Sequence, residues 1–339
     1  MARVGISATP GGPPLTRRAP AALSALTLAA ALTWAGTATA AAGTAPLDPD
    51  TPVSADGRTG PRVRDTPPSA SGIQGSGRGI QGSGRHSAGF AGTGDLADAA
   101  GVRPVTGTGP RTTAPDDLSA RSIIPPDERV QVTDTTAYPA RATVYFTYTK
   151  PGGATSWCTG WLYAANAVAT AGHCVHSGGS GGAWNTGFTV YPGRNGASSP
   201  YGSCGVSSTF SVVGWTQNAN PEYDYAGFKL GCTIGNTTGW YGMSWTTASL
   251  DGTAVGSAGY PQDRASATQW STTSTVSASY ERQLAYHLDT VGGQSGSVVH
   301  TSGCGTYCGV AVHAYGHGDH NRGTRITEAV FANYADWKL

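Results

Sequence analysis

The sequence predicts an all-β protein built from two barrels and closed by a single C-terminal helix. Short stretches alternate β-branched or aromatic residues with small polar ones, as in Ala142–Thr149, Ser271–Ala278 and Ser297–His300. This period is typical of strands with one buried face. Glycine-rich turns such as Gly178–Gly182 separate stretches of this kind. From Ser122 onward the chain is long enough for one compact unit or for two small barrels that share a cleft.

Only the C-terminal end has a helical pattern. Its apolar residues recur at helical spacing, and Thr327 precedes them as a residue type that caps helix N-termini. These apolar residues are Val330, Phe331, Tyr334 and Trp337. We place the boundary between the barrels near Gly235–Trp245, so the predicted ranges are about 122–238 for the first barrel, about 239–326 for the second and 327–338 for the helix.

The first 40 residues have the anatomy of a signal peptide. Arg17 and Arg18 precede an apolar run from Ala21 to Trp34, and Ala38-Thr-Ala40 offers a small-residue cleavage site. The run is too short to span a bilayer, which takes roughly 18 apolar residues, and no later stretch is long enough. We therefore expect a secreted, extracellular protein without a membrane anchor.

Residues 41–121 differ in composition from the rest of the chain. They are rich in Gly, Pro, Ser, Thr and Ala, and they contain the tandem repeat Gly72–Arg78 and Gly79–Arg85. So few large apolar residues cannot bury a sizeable core. The segment is either a disordered spacer or a propeptide. Its position favours a propeptide, and its low complexity makes a folding template unexpected.

The six cysteines also indicate export, because an even number suits disulfides in an oxidising compartment. Cys158 and Cys174 flank a predicted hairpin, Cys304 and Cys308 are close in sequence, and Cys204 and Cys232 remain for each other. A zinc site is not expected, because the cysteines lack paired Cys-x-x-Cys spacing.

Three motifs supply a base, an orienting acid and a nucleophile. His173 lies in Val168-Ala-Thr-Ala-Gly-His-Cys174, Asp224 in Tyr223-Asp-Tyr225, and Ser295 in Gly292-Gly-Gln-Ser-Gly-Ser297. A serine hydroxyl needs a histidine to take its proton, and the histidine needs an anion to fix its tautomer. Each motif alone is weak in a chain with 50 glycines, but the order His, Asp, Ser favours a catalytic triad over three structural residues.

The glycines before the nucleophile are typical of an oxyanion hole. Gly293 has no side chain, so its N–H can turn toward a developing oxyanion together with the N–H of Ser295. This function and a plain tight turn at Gly292-Gly293 are compatible, because the turn itself builds the hole.

From about Ser122 to the C-terminus the chain resembles the bacterial glutamyl endopeptidases, which are secreted serine proteases of chymotrypsin fold that cut after glutamate. The resemblance implies two antiparallel six-stranded β-barrels and endopeptidase activity after glutamate, and less well after aspartate. It rests on eight motifs: Asp134-Thr-Thr-Ala-Tyr-Pro139, Cys158-Thr-Gly-Trp161, Ala169-Thr-Ala-Gly-His-Cys174, Tyr191-Pro-Gly-Arg-Asn-Gly196, Tyr223-Asp-Tyr225, Gly259-Tyr-Pro261, Gly292-Gly-Gln-Ser-Gly-Ser297 and Asn321-Arg-Gly-Thr-Arg-Ile-Thr327.

The family also implies a binding site for the substrate glutamate. Gln294 stands where trypsin-like relatives have an aspartate that pairs with the new N-terminal amine, so that amine must serve elsewhere. The resemblance assigns it to Ser122, at the start of Ser122-Ile-Ile-Pro-Pro-Asp-Glu-Arg129. It assigns the remaining contacts with the substrate carboxylate to the Thr290 hydroxyl and to His313, which would otherwise be an ordinary strand histidine.

Asp289 favours a different specificity. It stands six positions before Ser295, where trypsin-type proteases place the aspartate that receives lysine or arginine. A free anion in the pocket would repel glutamate. We expect Asp289 to have a structural hydrogen-bonding role away from the pocket, and we keep a trypsin-like endopeptidase as the alternative.

The resemblance also predicts a partner for maturation. A glutamate-specific enzyme should not cut after Arg121, so release of the Ser122 α-amine would need a trypsin-like activating protease.

A secreted binding protein on a protease fold is a third possible function, although all three triad positions are present. The net charge of +1 and the lack of a basic run argue against nucleic acid as a partner. No cofactor is expected, structural calcium has no ligand-spaced loop to support it, and nothing requires more than a monomer.

Overall fold

The computed structural model describes residues 46–59, 83–105 and 122–339. These residues belong to one unit, Pro46–Leu339. The predicted signal peptide, most of the tandem repeat and Arg121 lie outside the described residues. In the part of the chain that is described, no helix has the length and apolar character needed to cross a membrane.

Strands account for most of the regular structure in these residues. In chain order they are β1 (Pro52–Ser54), β2 (Gly84–Ser87), β3 (Val130–Gln131), β4 (Thr143–Thr149), β5 (Thr155–Ala164), β6 (Ala167–Thr170), β7 (Thr186–Pro192), β8 (Cys204–Val212), β9 (Ala226–Leu230), β10 (Gly242–Thr246), β11 (Ala254–Gly259), β12 (Trp270–Ser279), β13 (Gln283–Tyr286), β14 (Val298–Gly303), β15 (Thr306–Gly316) and β16 (Asn321–Arg325). The α-helices are α1 (Val213–Thr216), α2 (Gly235–Thr238) and α3 (Glu328–Trp337).

Two closed barrels confirm the predicted fold class. The first runs β4-β5-β6-β9-β8-β7 and closes through the pairing of β7 with β4, and the second runs β11-β12-β13-β16-β15-β14 and closes through the pairing of β14 with β11. All of these pairings are antiparallel. Each barrel therefore has six strands. Strand β10 lies between the barrels in sequence and pairs parallel with β15, outside the closed circuit.

The alternation predicts strands with one buried face, but β4 is buried on both faces. Val144 and Phe146 lie in the core that fills the first barrel, and the side chains of the opposite face are covered by other parts of the fold. A smaller core that includes Val276, Leu284 and Val299 fills the second barrel. Because strand side chains point alternately to opposite faces, each strand can supply one of these cores with every second residue.

The C-terminal helix packs on the first barrel, although it follows the second barrel in sequence. As predicted, Thr327 caps the helix, and its side chain accepts a hydrogen bond from the N–H of Val330. The ring of Trp337 stacks on Phe210 at 5.6 Å and lies 5.8 Å from the ring of Tyr225. The helix thus attaches the C-terminal residues to the first barrel.

The three expected disulfides are all formed. They join Cys158 to Cys174, Cys204 to Cys232 and Cys304 to Cys308. The first links β5 to the turn after β6, so it fixes the end of the hairpin predicted from the sequence.

Two stretches of residues 41–121 are structured, which a disordered spacer would not be. Strand β1 pairs with β8 of the first barrel, and β2 pairs with β10. Backbone hydrogen bonds make these pairings, and side-chain contacts with the barrels add to them. At Gly92, where φ is +83°, a Cβ atom would lie 2.3 Å from the nitrogen of Gly239, so glycine permits the close approach of these two segments of the chain. Removal of this segment as a propeptide stays a prediction.

Trp337→Ala should lower the free energy of unfolding by about 3–5 kcal/mol, because the indole is 3 % exposed and its loss leaves a cavity between helix and barrel. Leu339→Ala, two residues later and 56 % exposed, should change it by less than about 0.5 kcal/mol. Urea unfolding followed by circular dichroism would measure both. Equal effects of the two substitutions would show that the helix does not clamp the barrel.

Candidate active site

The backbone of the first barrel brings His173 and Asp224 together. Strands β6 and β9 are antiparallel partners in which Thr170 faces Ala226. The residues just after β6 and just before β9 therefore meet at the same end of the barrel. His173 lies in the 3-10 turn after β6, and Asp224 follows the 3-10 turn before β9.

The carboxylate of Asp224 holds both the ring and the backbone of His173. Its Oδ2 lies 2.7 Å from Nδ1 of the imidazole, and its Oδ1 accepts the backbone N–H of His173 at 2.8 Å. Asp224 is fully buried. A buried carboxylate needs such donors, so this arrangement favours the tautomer with the proton on Nδ1 and fixes the orientation of the ring.

Ser295 comes from the second barrel, and the first barrel holds its backbone. The carbonyl oxygen of Ser295 accepts the N–H of Thr159 at 3.0 Å, and Sγ of Cys174 lies 3.8 Å from the same oxygen. Cys174 directly follows His173 in sequence. The structure therefore brings the predicted nucleophile to the end of the first barrel that carries His173 and Asp224, and Ser295 is 2 % exposed.

Gly293 occupies a position where a residue with a side chain would not fit. Its φ is +95°, and an added Cβ would lie 2.5 Å from the carbonyl oxygen of Tyr260 and 2.6 Å from Nε1 of Trp157. The carbonyl oxygen of Gly292 accepts the N–H of Gln262 at 2.8 Å. Because C=O and N–H point in opposite directions across a trans peptide, this bond also fixes the direction of the Gly293 N–H.

Thr159 connects the parts of this loop, a role that the sequence analysis missed. Its hydroxyl donates to the carbonyl oxygen of Gly293 at 2.8 Å and accepts the N–H of Tyr260 at 3.0 Å. The residue is fully buried. The signal in the sequence was its place in Cys158-Thr-Gly-Trp161, but nothing in that motif reveals a partner more than a hundred residues away.

Ser122 and Thr290 lie side by side. The N–H of Ser122 donates to the carbonyl oxygen of Thr290 at 3.1 Å, and the Ser122 hydroxyl accepts the N–H of Gly318 at 2.8 Å. Asn321 donates its side-chain amide to the carbonyl oxygen of Ser122 at 2.9 Å. Ser122 is 3 % exposed, so the described segment that begins here occupies a buried position.

The hydroxyl of Thr290 is the polar group left open at this position. Its Oγ1 is buried and finds no hydrogen-bond partner among the described residues. A buried hydroxyl without a partner costs free energy, so an unused donor of this kind favours a site that takes a polar ligand.

His313 lies on β15 and is fully buried. Its Nδ1 is 2.9 Å from the hydroxyl of Tyr286. Burial raises the pKa of that hydroxyl well above its ordinary value, so the phenol stays neutral. The backbone of His313 bonds to the nucleophile loop on both sides, because its carbonyl accepts from Gly296 and its N–H donates to Ser297, each at 2.8 Å.

Both carboxylate oxygens of Asp289 are occupied. Oδ1 accepts the backbone N–H of Ile124 at 2.8 Å, and Oδ2 accepts that of Glu128 at 2.8 Å. Asp289 is 1 % exposed. It therefore anchors the segment that follows Ser122. The carboxamide of Gln294 is likewise used within its own loop, where its oxygen accepts the N–H of Val291 at 3.0 Å.

Comparison with known proteins places the chain among proteases. No family model matches it. A glutamyl endopeptidase from Bacillus licheniformis is 44 % identical over 228 residues, which are 65 % of this chain and 70 % of that protein. A Bacillus subtilis protein described as an extracellular metalloprotease is 40 % identical over 223 residues, 65 % of this chain and 71 % of that protein.

A solved structure of a Glu endopeptidase in complex with MPD superposes with a TM-score of 0.57 at 32 % identity, over 63 % of this chain and 98 % of that one. Together with the two closed barrels, these likenesses define a serine endopeptidase of chymotrypsin fold. More narrowly, the chain belongs to the glutamyl endopeptidase family.

The description of the Bacillus subtilis relative raises the question of a metal. Within the described ranges, one group of three His, Cys, Asp or Glu side chains has its ligand atoms within 4.8 Å of one another, namely Cys158, His173 and Cys174. The two cysteines are joined in a disulfide, so neither offers the thiolate that binds a metal. One remaining imidazole is not a ligand set, and these residues do not fit a catalytic metal.

Thr159→Val should lower kcat by about 10- to 100-fold while KM changes little, because the loop that carries Gly293 loses the hydroxyl that holds it. Thr159→Ser keeps the hydroxyl and should retain most of kcat. Steady-state kinetics on one peptide substrate would give kcat and KM for the wild type and both variants. A wild-type kcat in Thr159→Val, or the same loss in Thr159→Ser, would contradict the positioning role.

Proposed function

We propose that the protein is a secreted serine endopeptidase that hydrolyses peptide bonds after glutamate, and less well after aspartate, through His173, Asp224 and Ser295. The engagement of Asp289 by the N–H groups of Ile124 and Glu128 carries this proposal. Because that carboxylate is engaged, the groups left to contact the substrate are hydrogen-bond donors, which suit an acidic side chain rather than a basic one.

In the proposed mechanism the hydroxyl oxygen of Ser295 attacks the carbonyl carbon of the scissile bond, and its proton passes to Nε2 of His173. Asp224 holds the opposite nitrogen and stabilises the imidazolium. The N–H groups of Gly293 and Ser295 stabilise the oxyanion. The amine then leaves with the proton from His173. Water attacks the carbonyl carbon of the acyl group and gives a proton to His173, which returns it to the Ser295 oxygen as the ester bond breaks and the acid is released.

The proposed glutamate pocket consists of Thr290, His313 and the α-amine of Ser122. A buried substrate carboxylate is costly unless it meets donors and positive charge. When the Tyr286 hydroxyl donates to Nδ1 of His313, the proton of the neutral ring sits on Nε2. The Nε2–H group can then donate a hydrogen bond to the carboxylate of the substrate glutamate. The open hydroxyl of Thr290 supplies a second donor, and the ammonium group supplies the charge.

Cleavage after Arg121 would complete this pocket. In the uncut chain the nitrogen of Ser122 is an uncharged peptide amide that already lies 3.1 Å from the carbonyl oxygen of Thr290. Cutting the bond would turn the same nitrogen into an ammonium group without moving it far. A trypsin-like protease is the activating partner that this bond requires. Export is supported by the predicted signal peptide and by the three disulfides.

Chromogenic peptides that differ only in the residue before the scissile bond would test the specificity. We expect hydrolysis after Glu, little after Gln and none after Arg, and we expect Ser295→Ala to lose about a million-fold in kcat. Thr290→Val, which keeps the shape of the side chain, should lower kcat/KM for the Glu peptide by about 10- to 100-fold.

The Gln peptide is the matched control, since its hydrolysis should respond much less to Thr290→Val. Preferential cleavage after Arg would transfer the specificity to Asp289. No cleavage of any peptide by the matured protein would favour a binding protein on a protease fold.

Arg121→Gln should block maturation by trypsin at that bond, because trypsin needs a basic residue before the cut. Mass spectrometry of the products would show whether the new N-terminus is Ser122. Rapid self-processing of the variant at the same bond would contradict the need for a second protease.

A further inference from the structure

Residues 46–59 lie along the first barrel as an added strand. Strand β1 pairs antiparallel with β8, with Val53 opposite Ser211. Flanking backbone bonds lengthen the contact, because Gly214 donates its N–H to Pro49 at 2.8 Å and Val213 donates to Thr51 at 3.0 Å. Main-chain pairing of this kind gives affinity but little choice of sequence.

The side chain of Asp50 supplies the specific part of this contact. Its Oδ1 is 2.7 Å from Nη2 of Arg282 and accepts the hydroxyl of Tyr225 at 2.8 Å. The amide of Asn333 donates to the backbone oxygen of Asp50 at 2.9 Å. The carboxylate and the guanidinium side chain are only 15 % and 13 % exposed, so the ion pair is largely shielded from water. We call Arg282, Tyr225 and Asn333 the carboxylate cradle.

The protease domain itself positions the carboxylate cradle. The guanidinium of Arg282 lies 3.9 Å from the centre of the Tyr223 ring, and the hydroxyl of Tyr225 also accepts the amide of Asn333 at 2.7 Å. These contacts hold the donors in place. Because a shielded guanidinium favours an anionic partner, the cradle suits a carboxylate on an extended chain.

The three members of the cradle come from three parts of the fold. Arg282 lies between β12 and β13 of the second barrel, Tyr225 directly precedes β9 of the first, and Asn333 lies on α3. Tyr223 and Tyr225 flank Asp224 in sequence. A segment bound here contacts both barrels and the helix, so its binding stabilises their assembled arrangement.

We propose that the carboxylate cradle is a docking site for Asp50, and that it keeps residues 46–59 bound to the protease after the covalent connection between them has been cut. The proposal rests on the proposed function only for its setting, which is the removal of residues 41–121. Its test measures binding instead of hydrolysis, so the two can fail separately.

The test uses the full chain with Ser295→Ala and with a recognition sequence for a site-specific protease placed between residues 60 and 82. After the cut, we expect the N-terminal fragment to co-elute with the remainder in size-exclusion chromatography. Asp50→Asn should weaken retention by at least about tenfold, because it removes the charge that pairs with Arg282. Asp56→Asn is the matched control, since among the described residues the side chain of Asp56 bonds to Ser54 and Arg58 of its own segment and not to the barrels.

A peptide of residues 46–59 provides a readout that does not depend on how the variants fold. Added to the cut protein, it should displace the N-terminal fragment. The same peptide with Asp50→Asn should reach equal displacement only at a concentration at least about tenfold higher. Immediate loss of the wild-type fragment would overturn the proposal. So would equal retention of the Asp50→Asn fragment, or equal competition by the two peptides.

Discussion

The candidate site depends on the hydrogen bonds that strand β5 of the first barrel makes to the nucleophile loop of the second. Thr159 uses its backbone N–H to hold Ser295 and its hydroxyl to hold Gly293. Three glycines within Gly292–Gly296 give the loop backbone wide conformational freedom, so the bonds from Thr159 act together with those from Gln262 and His313 to fix it. The geometry on which attack and oxyanion binding depend is thus set at the junction of the barrels.

Three carboxylates that are buried or largely shielded from water hold distant segments of the chain together. Asp224 holds His173, Asp289 holds the segment after Ser122, and Asp50 holds the N-terminal strand. An ionised carboxylate is stable in such a place only when donors surround it. Each aspartate therefore selects one arrangement of segments that are far apart in sequence, and in Asp289 both carboxylate oxygens accept backbone N–H groups of the segment after Ser122.

Much of the fold could be predicted from the sequence because its signals are local. The strand Thr143–Thr149, the cap at Thr327 and the hairpin between Cys158 and Cys174 involve neighbouring residues, and the structure shows all of them. Burial of that strand on both faces depends on distant segments and was not predicted. For the predicted site residues, the structure shows particular contacts. Ser122 lies against Thr290, and the backbone of His313 bonds to the Ser295 loop.

The contacts that escaped prediction are long-range and specified by single atoms. The sequence around Thr159 does not indicate its hydrogen bond to Gly293. The sequence around Asp50 does not indicate its ion pair with Arg282, which follows 232 positions later. Strands β1 and β2 were hidden for another reason. They attach through main-chain pairing, which leaves no hydrophobic pattern in a segment rich in glycine and proline.

In the proposed mechanism Ser295 attacks the substrate with His173 as its base. Covalent labelling of the matured protein with a fluorophosphonate, followed by peptide mapping, is the direct test of this step. We expect one label per chain, located on Ser295, absent in Ser295→Ala and formed far more slowly in His173→Ala. A label on another residue, or undiminished proteolysis by Ser295→Ala, would contradict it.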